Sequence, residues 1–431
     1  MKFTPMRELP PTGGWKKGDV VVIFGELFSR GYANGLVDEA RHMGLKLIFS
    51  TVGRRDEAQR LRPLNEVELA EKDQPLINIP LEAGFDLEPS DTGLSPVDQL
   101  QGVKLSEWEK ARLDMTQVEQ SRIKGVEDFR RRTQQYVHEV EKQIPSGANI
   151  LFVHTMAGGV PRAKIVMPAM NRVFKGHGER YASSSEFWQT DMGKLCASSF
   201  MEVSANTLQH LIEMTEPLRK KVEQSGNRCA YVAYGYHGTD VLMNGQYQWQ
   251  SYSPYLQGFA KIELENIAAR AQQKGIRASV YNAPEILTNS SSIFLGVEVS
   301  LYPLLGALQK EGVNSSSAKK VIEQALKLLK PEYSVNSIME YTTKYFTSQV
   351  IREWSNFPAW PQHNGPEQMA AMRVASTDLI NMHLDTKNLI TSVLSEAVFK
   401  ACGKIMIHQS WEPKQPVWWL GHDIVAKQTA H

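Results

Sequence analysis

The chain has 431 residues and a formal net charge of +1, with Lys and Arg balanced against Asp and Glu. That balance excludes the basic surface a nucleic-acid binder needs, and no apolar run approaches the roughly 18 residues of a membrane span. Three scattered cysteines, Cys196, Cys229 and Cys402, match neither a disulfide framework nor a zinc site, and the start, Met1 to Pro5, lacks the apolar stretch of a signal peptide, so a reducing cytoplasm is the expected home.

The first apolar run, residues 19–25, ends in Gly25 and reads as a buried parallel strand. Leu36, Val37, Ala40 and Met43 follow at helical spacing, Gly44 closes that helix, and residues 45–50 give a second strand. This is a βαβ start. Residues 54–75 are charged and are expected to be helical, before a third strand at 76–80. The polar stretch 86–106 is an excursion, and 107–143 is a long charged helical stretch with a solvated face. A fourth strand at 150–154 leads into Ala157-Gly158-Gly159. Residues 164–200 form a second insertion, 201–224 a helical stretch, and 229–235 the fifth strand. The helix that contains Lys261 is expected to run to about Gly275, with a sixth strand at 277–282 and a largely helical remainder.

These elements predict an α/β fold of Rossmann type: a doubly wound parallel sheet with helices on both faces and helical and loop insertions. No Pro/Gly/Ser-rich linker divides the chain, so residues 1–431 read as one elaborated unit. Its dinucleotide-binding half spans about 18–160 and its catalytic and substrate-side half about 200–312. A mainly helical extension takes up about 313–431.

Gly25, Gly31, Ala33 and Gly35 lie between the first strand and first helix. Glycines there let backbone approach a pyrophosphate, and the helix N-terminus favours its charge. The spacing is looser than the usual fingerprint, so position carries this reading. After the second strand come Arg54 and Arg55, where NAD binders usually place an acid; arginine suits a 2′-phosphate and points to NADPH over NADH.

The chemistry is concentrated further on. Tyr236 follows the fifth strand, and Tyr252 stands eight intervening residues before Lys261, which opens a helical pattern. A phenol beside a fixed ammonium can hydrogen-bond to an oxyanion and protonate it. The ammonium also lowers the phenol's pKa from its ordinary value near ~10. Tyr255, six positions before Lys261, is an alternative to Tyr252. His154 and His237 read as hydrogen-bonded structure, because no further ligands at metal spacing accompany them. Trp418-Trp419 reads as packing.

At these residues the chain resembles the V-type trans-2-enoyl-ACP reductases and the related trans-2-enoyl-CoA reductases, large relatives of the short-chain dehydrogenase/reductase group. Tyr252, Gly258 and Lys261 reproduce their tyrosine–lysine signature, and Tyr236 to Asp240 resembles their strand-end Tyr-x-Gly-Thr-acid run. Thr288-Asn289-Ser290-Ser291-Ser292 through Gly312 is similar to their Thr-Gln-Ala-Ser loop and the helix after it. About six more residues separate Tyr236 from Tyr252 than in that family. The resemblance implies reduction of the double bond of 2-enoyl thioesters carried on ACP or CoA, with NADPH as the reductant that Arg54 and Arg55, which differ from the acidic residue of the family's NADH-using members, favour. Tyr252 would donate the proton, Tyr236 would assist, and Lys261 would hold the nicotinamide ribose. Gly25, Ser29, Gly31, Tyr32, Arg54, Arg55, Ala157, Gly158, Thr288, Asn289 and Ser290 would contact the cofactor. A homo-oligomer is compatible with it. The competing readings are a ketoreductase on the same fold, disfavoured because Tyr234-Gly235-Tyr236-His237 carries no serine, and a non-catalytic nucleotide-binding scaffold.

Overall fold

A computed structural model of the chain describes residues 2–251, 256–288, 295–296, 298–359 and 363–431. Its strands are β1 (Val20–Glu26), β2 (Lys46–Thr51), β3 (Arg54–Arg55), β4 (Leu61–Arg62), β5 (Leu76–Pro80), β6 (Ile150–His154), β7 (Cys229–Gly235), β8 (Thr239–Met243), β9 (Gln246–Gln250), β10 (Arg277–Asn282) and β11 (Val417–Trp419). Among the described residues, seven of these form one sheet in the order β11-β10-β7-β6-β1-β2-β5. Every neighbouring pair runs parallel. The order reverses between β1 and β6, which makes the crevice above their carboxyl ends the expected ligand site.

Alternation along the central strands sends side chains to two opposite cores. Val21 and Ile23 of β1, Leu151 and Val153 of β6 and Val232 of β7 face one; Val20, Val22, Phe24, Ile150, Phe152 and Tyr231 face the other. This is the period of two expected of strands buried on both faces. The second core is covered by the 29-residue helix Met115–Gln143, which turns Phe129, Tyr136, Val137 and Val140 inward, and by the helix Gly258–Gln273. The first is covered by the helices Tyr32–His42 and Ile390–Ser410. These two cross so closely that a Cβ on Gly35 would lie 1.9 Å from the Phe399 carbonyl oxygen, and one on Gly403 2.2 Å from the Gly35 backbone.

Several expectations change. Residues 54–75 are not one helix. Arg54–Arg55 and Leu61–Arg62 pair as an antiparallel ribbon, followed by the short helix Glu66–Ala70, capped by Asn65. The stretch carries no apolar stripe to bury, and Pro63 interrupts it. Residues 201–224 hold a π-helical turn, Glu202–Asn206, followed by two helices. The region 313–431 is mainly helical, but it also supplies β11, so Trp418 and Trp419 belong to the sheet. The extra residues after Tyr236 form the hairpin β8–β9. Asn244 and Gly245 turn it, both with positive φ (48° and 73°), as a two-residue Asn-Gly hairpin loop requires. The helices Val166–Phe174, Ser184–Gln189 and Asp191–Met201 form a separate apolar cluster with Phe85 and Trp108.

Candidate active site

A cavity of about 610 Å³ opens above the carboxyl ends of β1, β6, β7 and β10. A smaller one of about 360 Å³ adjoins it over β1 and β2, and the two share Glu26, Leu27, Phe28 and Asn34. Gly31 and Tyr32, Ala157 and Gly158, Tyr236, Lys261 and Thr288 all line the larger cavity. Ser29 lines the smaller. Gly25 sits between the two strand ends, with φ 124° and its N–H donated to Ser50 Oγ at 2.9 Å. A Cβ there would lie 2.3 Å from Thr155 Oγ1, so glycine is what lets the β1 and β6 ends meet. Tyr252, Tyr255, Asn289 and Ser290 lie outside the described residues.

Lys261 enters the cavity from the first turn of its helix and is 1% exposed. Its Nζ lies 5.0 Å from the centre of the Tyr236 ring, over the face. Burial lowers the Lys261 pKa to about 7. The Tyr236 phenol moves the opposite way from the sequence expectation. Burial raises its pKa, Glu285, ionised at the high pH where the phenol would lose its proton, adds to that, and the ammonium faces the ring. Tyr236 is therefore a neutral donor at physiological pH.

A buried network fixes the Tyr236 corner. Glu265, one turn after Lys261, accepts from Asn282 Nδ2 at 2.8 Å and pairs with His237 Nδ1 at 2.9 Å. Asn282 Oδ1 accepts the His237 N–H at 2.8 Å. Tyr32 stacks on Tyr234 and meets Tyr236 at a tilt, and its hydroxyl donates to the Pro284 carbonyl at 2.6 Å. His154 Nε2 lies 2.7 Å from Thr207 Oγ1, and burial together with the Lys261 charge keeps the imidazole well below its ordinary pKa, hence neutral. Both histidines are packed into such contacts, and no metal-ligating cluster occurs among the described residues. The π turn serves this corner: Ser204 donates to the Gly158 carbonyl at 2.9 Å, and Gly159 packs against the Ser199 carbonyl. Such turns are frequent at functional sites.

The two arginines after β2 are already engaged. Arg54 makes a bidentate pair with Glu26, at 2.8 and 3.0 Å, and Lys72 adds a third contact at 2.7 Å. Burial opposes the Glu26 charge, but Arg54, Lys72 and Thr51 outweigh it and hold the carboxyl at about 2. Arg55 pairs with Glu82 at 3.0 Å and lines neither cavity.

The residues present fit a dinucleotide. The helix Tyr32–His42 begins at the larger cavity with no side-chain cap and no acid in its first turn, and a Cβ on Gly31 would meet open space. A helix N-terminus of this kind, with its positive dipole end facing the cavity, suits a pyrophosphate. Gln257 Oε1 is buried at the cavity wall with no hydrogen-bond partner among the described residues, an acceptor available to a ligand amide.

A family model described as enoyl-acyl carrier protein reductase FabMG matches residues 2–429. The chain belongs to the FabMG enoyl-acyl carrier protein reductases. It is an NAD(P)H-dependent oxidoreductase. The apo structure of a FabMG, described as a novel type of enoyl-acyl carrier protein reductase, is 44% identical over 99% of this chain and 97% of that one, with a TM-score of 0.94. An NADH-bound FabMG structure is 39% identical over 98% and 97%, with a TM-score of 0.78. No curated protein matches the chain.

Sequence reasoning gives no role to Glu26, Gln257 or Glu285, which line the cavity of this reductase. Glu26 carried a signal, since it directly follows the strand-end Gly25. Glu285 follows the sixth strand by three residues, and only the fold turns it toward Tyr236.

Proposed function

We propose that the protein reduces the carbon–carbon double bond of 2-enoyl chains held as thioesters on acyl carrier protein, with NADH as the preferred reductant. One observation carries the chemistry: a buried lysine stacked on a neutral tyrosine, in a cavity that begins at an uncapped helix N-terminus. A reduced nicotinamide bound there supplies hydride to the substrate β-carbon. The uncapped turn at Gly31 and Tyr32 holds the pyrophosphate, and Ala157, Gly158 and Thr288 enclose the cofactor. Lys261 donates to the ribose. Tyr236 donates a hydrogen bond to the thioester oxygen as negative charge develops there. Tyr252, eight residues before Lys261, is proposed as a second donor from its spacing alone. That shared tyrosine–lysine chemistry is also the proposed link to the V-type reductases.

The sequence favoured NADPH because of Arg54 and Arg55. Ion pairing favours NADH, the ligand of the solved relative. A 2′-phosphate brought to Arg54 would meet the Glu26 carboxylate, which already holds that arginine and Lys72. The halves about 18–160 and 200–312 are proposed as the cofactor and substrate sides of one unit. No described helix is long and apolar enough to cross a membrane, and a cytoplasmic setting is proposed with the carrier-bound substrate.

Crotonyl-ACP and acetoacetyl-ACP, assayed side by side with NADH and NADPH, test this reading. We expect crotonyl-ACP to be consumed and acetoacetyl-ACP to be left unchanged. Turnover of the ketone alone would favour the ketoreductase reading. Cofactor binding without turnover of either would favour a scaffold.

A further inference from the structure

A carboxyl group that the proposed chemistry leaves unused faces the same cavity. Glu285 is 8% exposed and lines the cavity with Tyr236, Lys261 and Ile286. Its backbone is held in place by the residue before it, whose carbonyl accepts from Tyr32. Ser300 Oγ donates to Glu285 Oε2 at 3.2 Å, and no ion pair to Glu285 occurs among the described residues. A carboxylate so placed would be a buried, uncompensated charge.

We propose that Glu285 is a protonated acid that supplies, from inside the cavity, the proton taken up by the reduced substrate. Burial, with the nearby Glu298 charge, drives its pKa well above the usual carboxylate range, against the smaller effect of Ser300. Tyr236 just after β7, Glu298 and the half-buried Tyr345 of the helix Val335–Thr347 are titratable groups that interact with it among the described residues, and Lys261 lines the same cavity. Tyr345 also interacts with Tyr341, whose hydroxyl donates to Asp378 at 2.6 Å at the surface. The inference rests on the enoyl-reductase reading. Two electrons and one hydrogen reach the β-carbon from the reduced nicotinamide, which is oxidised, and the double-bond electrons pass to the enolate. The Glu285 O–H bond breaks, the α-carbon side gains that proton, and water restores it to the carboxylate.

The test uses the full-length enzyme with Glu285→Gln and Glu285→Asp. Infrared difference spectra of cofactor-free wild type against E285Q at neutral pH should show a carboxylic-acid C=O band that the variant lacks. With NADH and crotonyl-ACP, E285Q should lose kcat by about 100-fold, as expected of a removed general acid. NADH affinity, read by fluorescence, should stay within about two-fold, and E285D should recover part of the loss. Absence of the infrared band, or a wild-type kcat and pH profile in E285Q, overturns the proposal. Failure of the wild type to reduce crotonyl-ACP would instead fell the functional reading, and the band would still report the state of Glu285.

Discussion

Lys261 is buried without a carboxylate partner among the described residues. Its pKa near 7 is a consequence of desolvation. The protonated form is the one that donates to a ribose and favours an oxyanion, and it is lost as pH rises through that value. We expect kcat/KM for the free enzyme to fall on the alkaline side with an apparent pKa close to 7, and Lys261→Ala to abolish that limb together with most activity. A pH profile flat from 6 to 9 in the wild type would contradict this. At Glu26 the expectation concerns cofactor choice. Glu26→Gln releases Arg54 and Lys72 to a 2′-phosphate, so the NADPH-to-NADH ratio of kcat/KM should rise by at least about ten-fold. An unchanged ratio would mean that the ion pair does not set preference.

The crossing of the helices Tyr32–His42 and Ile390–Ser410 decides how the first βα turn is aimed. Gly403 allows the contact with the Gly35 backbone, and any larger side chain there has only backbone to displace. Gly403→Leu should push the Tyr32 helix away from its seat, weakening NADH binding by an order of magnitude or more and lowering Tm. An unaltered NADH affinity would show that the helix start is held by β1 and β2 alone. The β8–β9 hairpin shows what could be read ahead of the structure. Asn244-Gly245 is a strong turn signal, although in the spacing from Tyr236 to Tyr252 the hairpin shows only as extra length. Conversely, the charged stretch 54–75 looked helical in composition, while its arginines serve a ribbon and ion pairs whose partners, Glu26 and Glu82, are distant in sequence.

Across the molecule, the first residues tie both chain ends to the sheet. Met6 N–H donates to the Trp419 carbonyl at 2.8 Å, and Arg7 bridges the buried Asp240 and Asp423 at 2.5 and 3.0 Å. Burial raises the Asp240 pKa to about 6, with Arg7 opposing and Asp423 adding to the rise. A folded pKa above the unfolded one means that ionising Asp240 costs stability, fully above about pH 6 and not at all below the unfolded value. Arg7→Ala leaves two facing carboxylates without their cation. We expect it to cost roughly 2 kcal/mol, less than a fully buried pair because Arg7 is half exposed. The drop in Tm should be larger at pH 8 than at pH 5. An equal drop at both would show that packing, not charge, is what Arg7 provides.

The amino-acid sequence by itself determined six central-sheet strands between Val20 and Asn282, because runs of Val, Ile and Tyr of strand length between turn residues have few other stable uses. It also singled out Tyr236, Lys261, Gly31 and Gly158, since strand ends and the glycines after them are local features. Only the tertiary structure decided that Arg54 is held by Glu26, that Glu285 faces Tyr236, and that β11 and the Ile390 helix complete the sheet and its cover. Each of those joins residues far apart along the chain. Which charge is neutralised, and which acid is kept protonated, follows from burial and from the partner that packing supplies, and neither is written in local spacing.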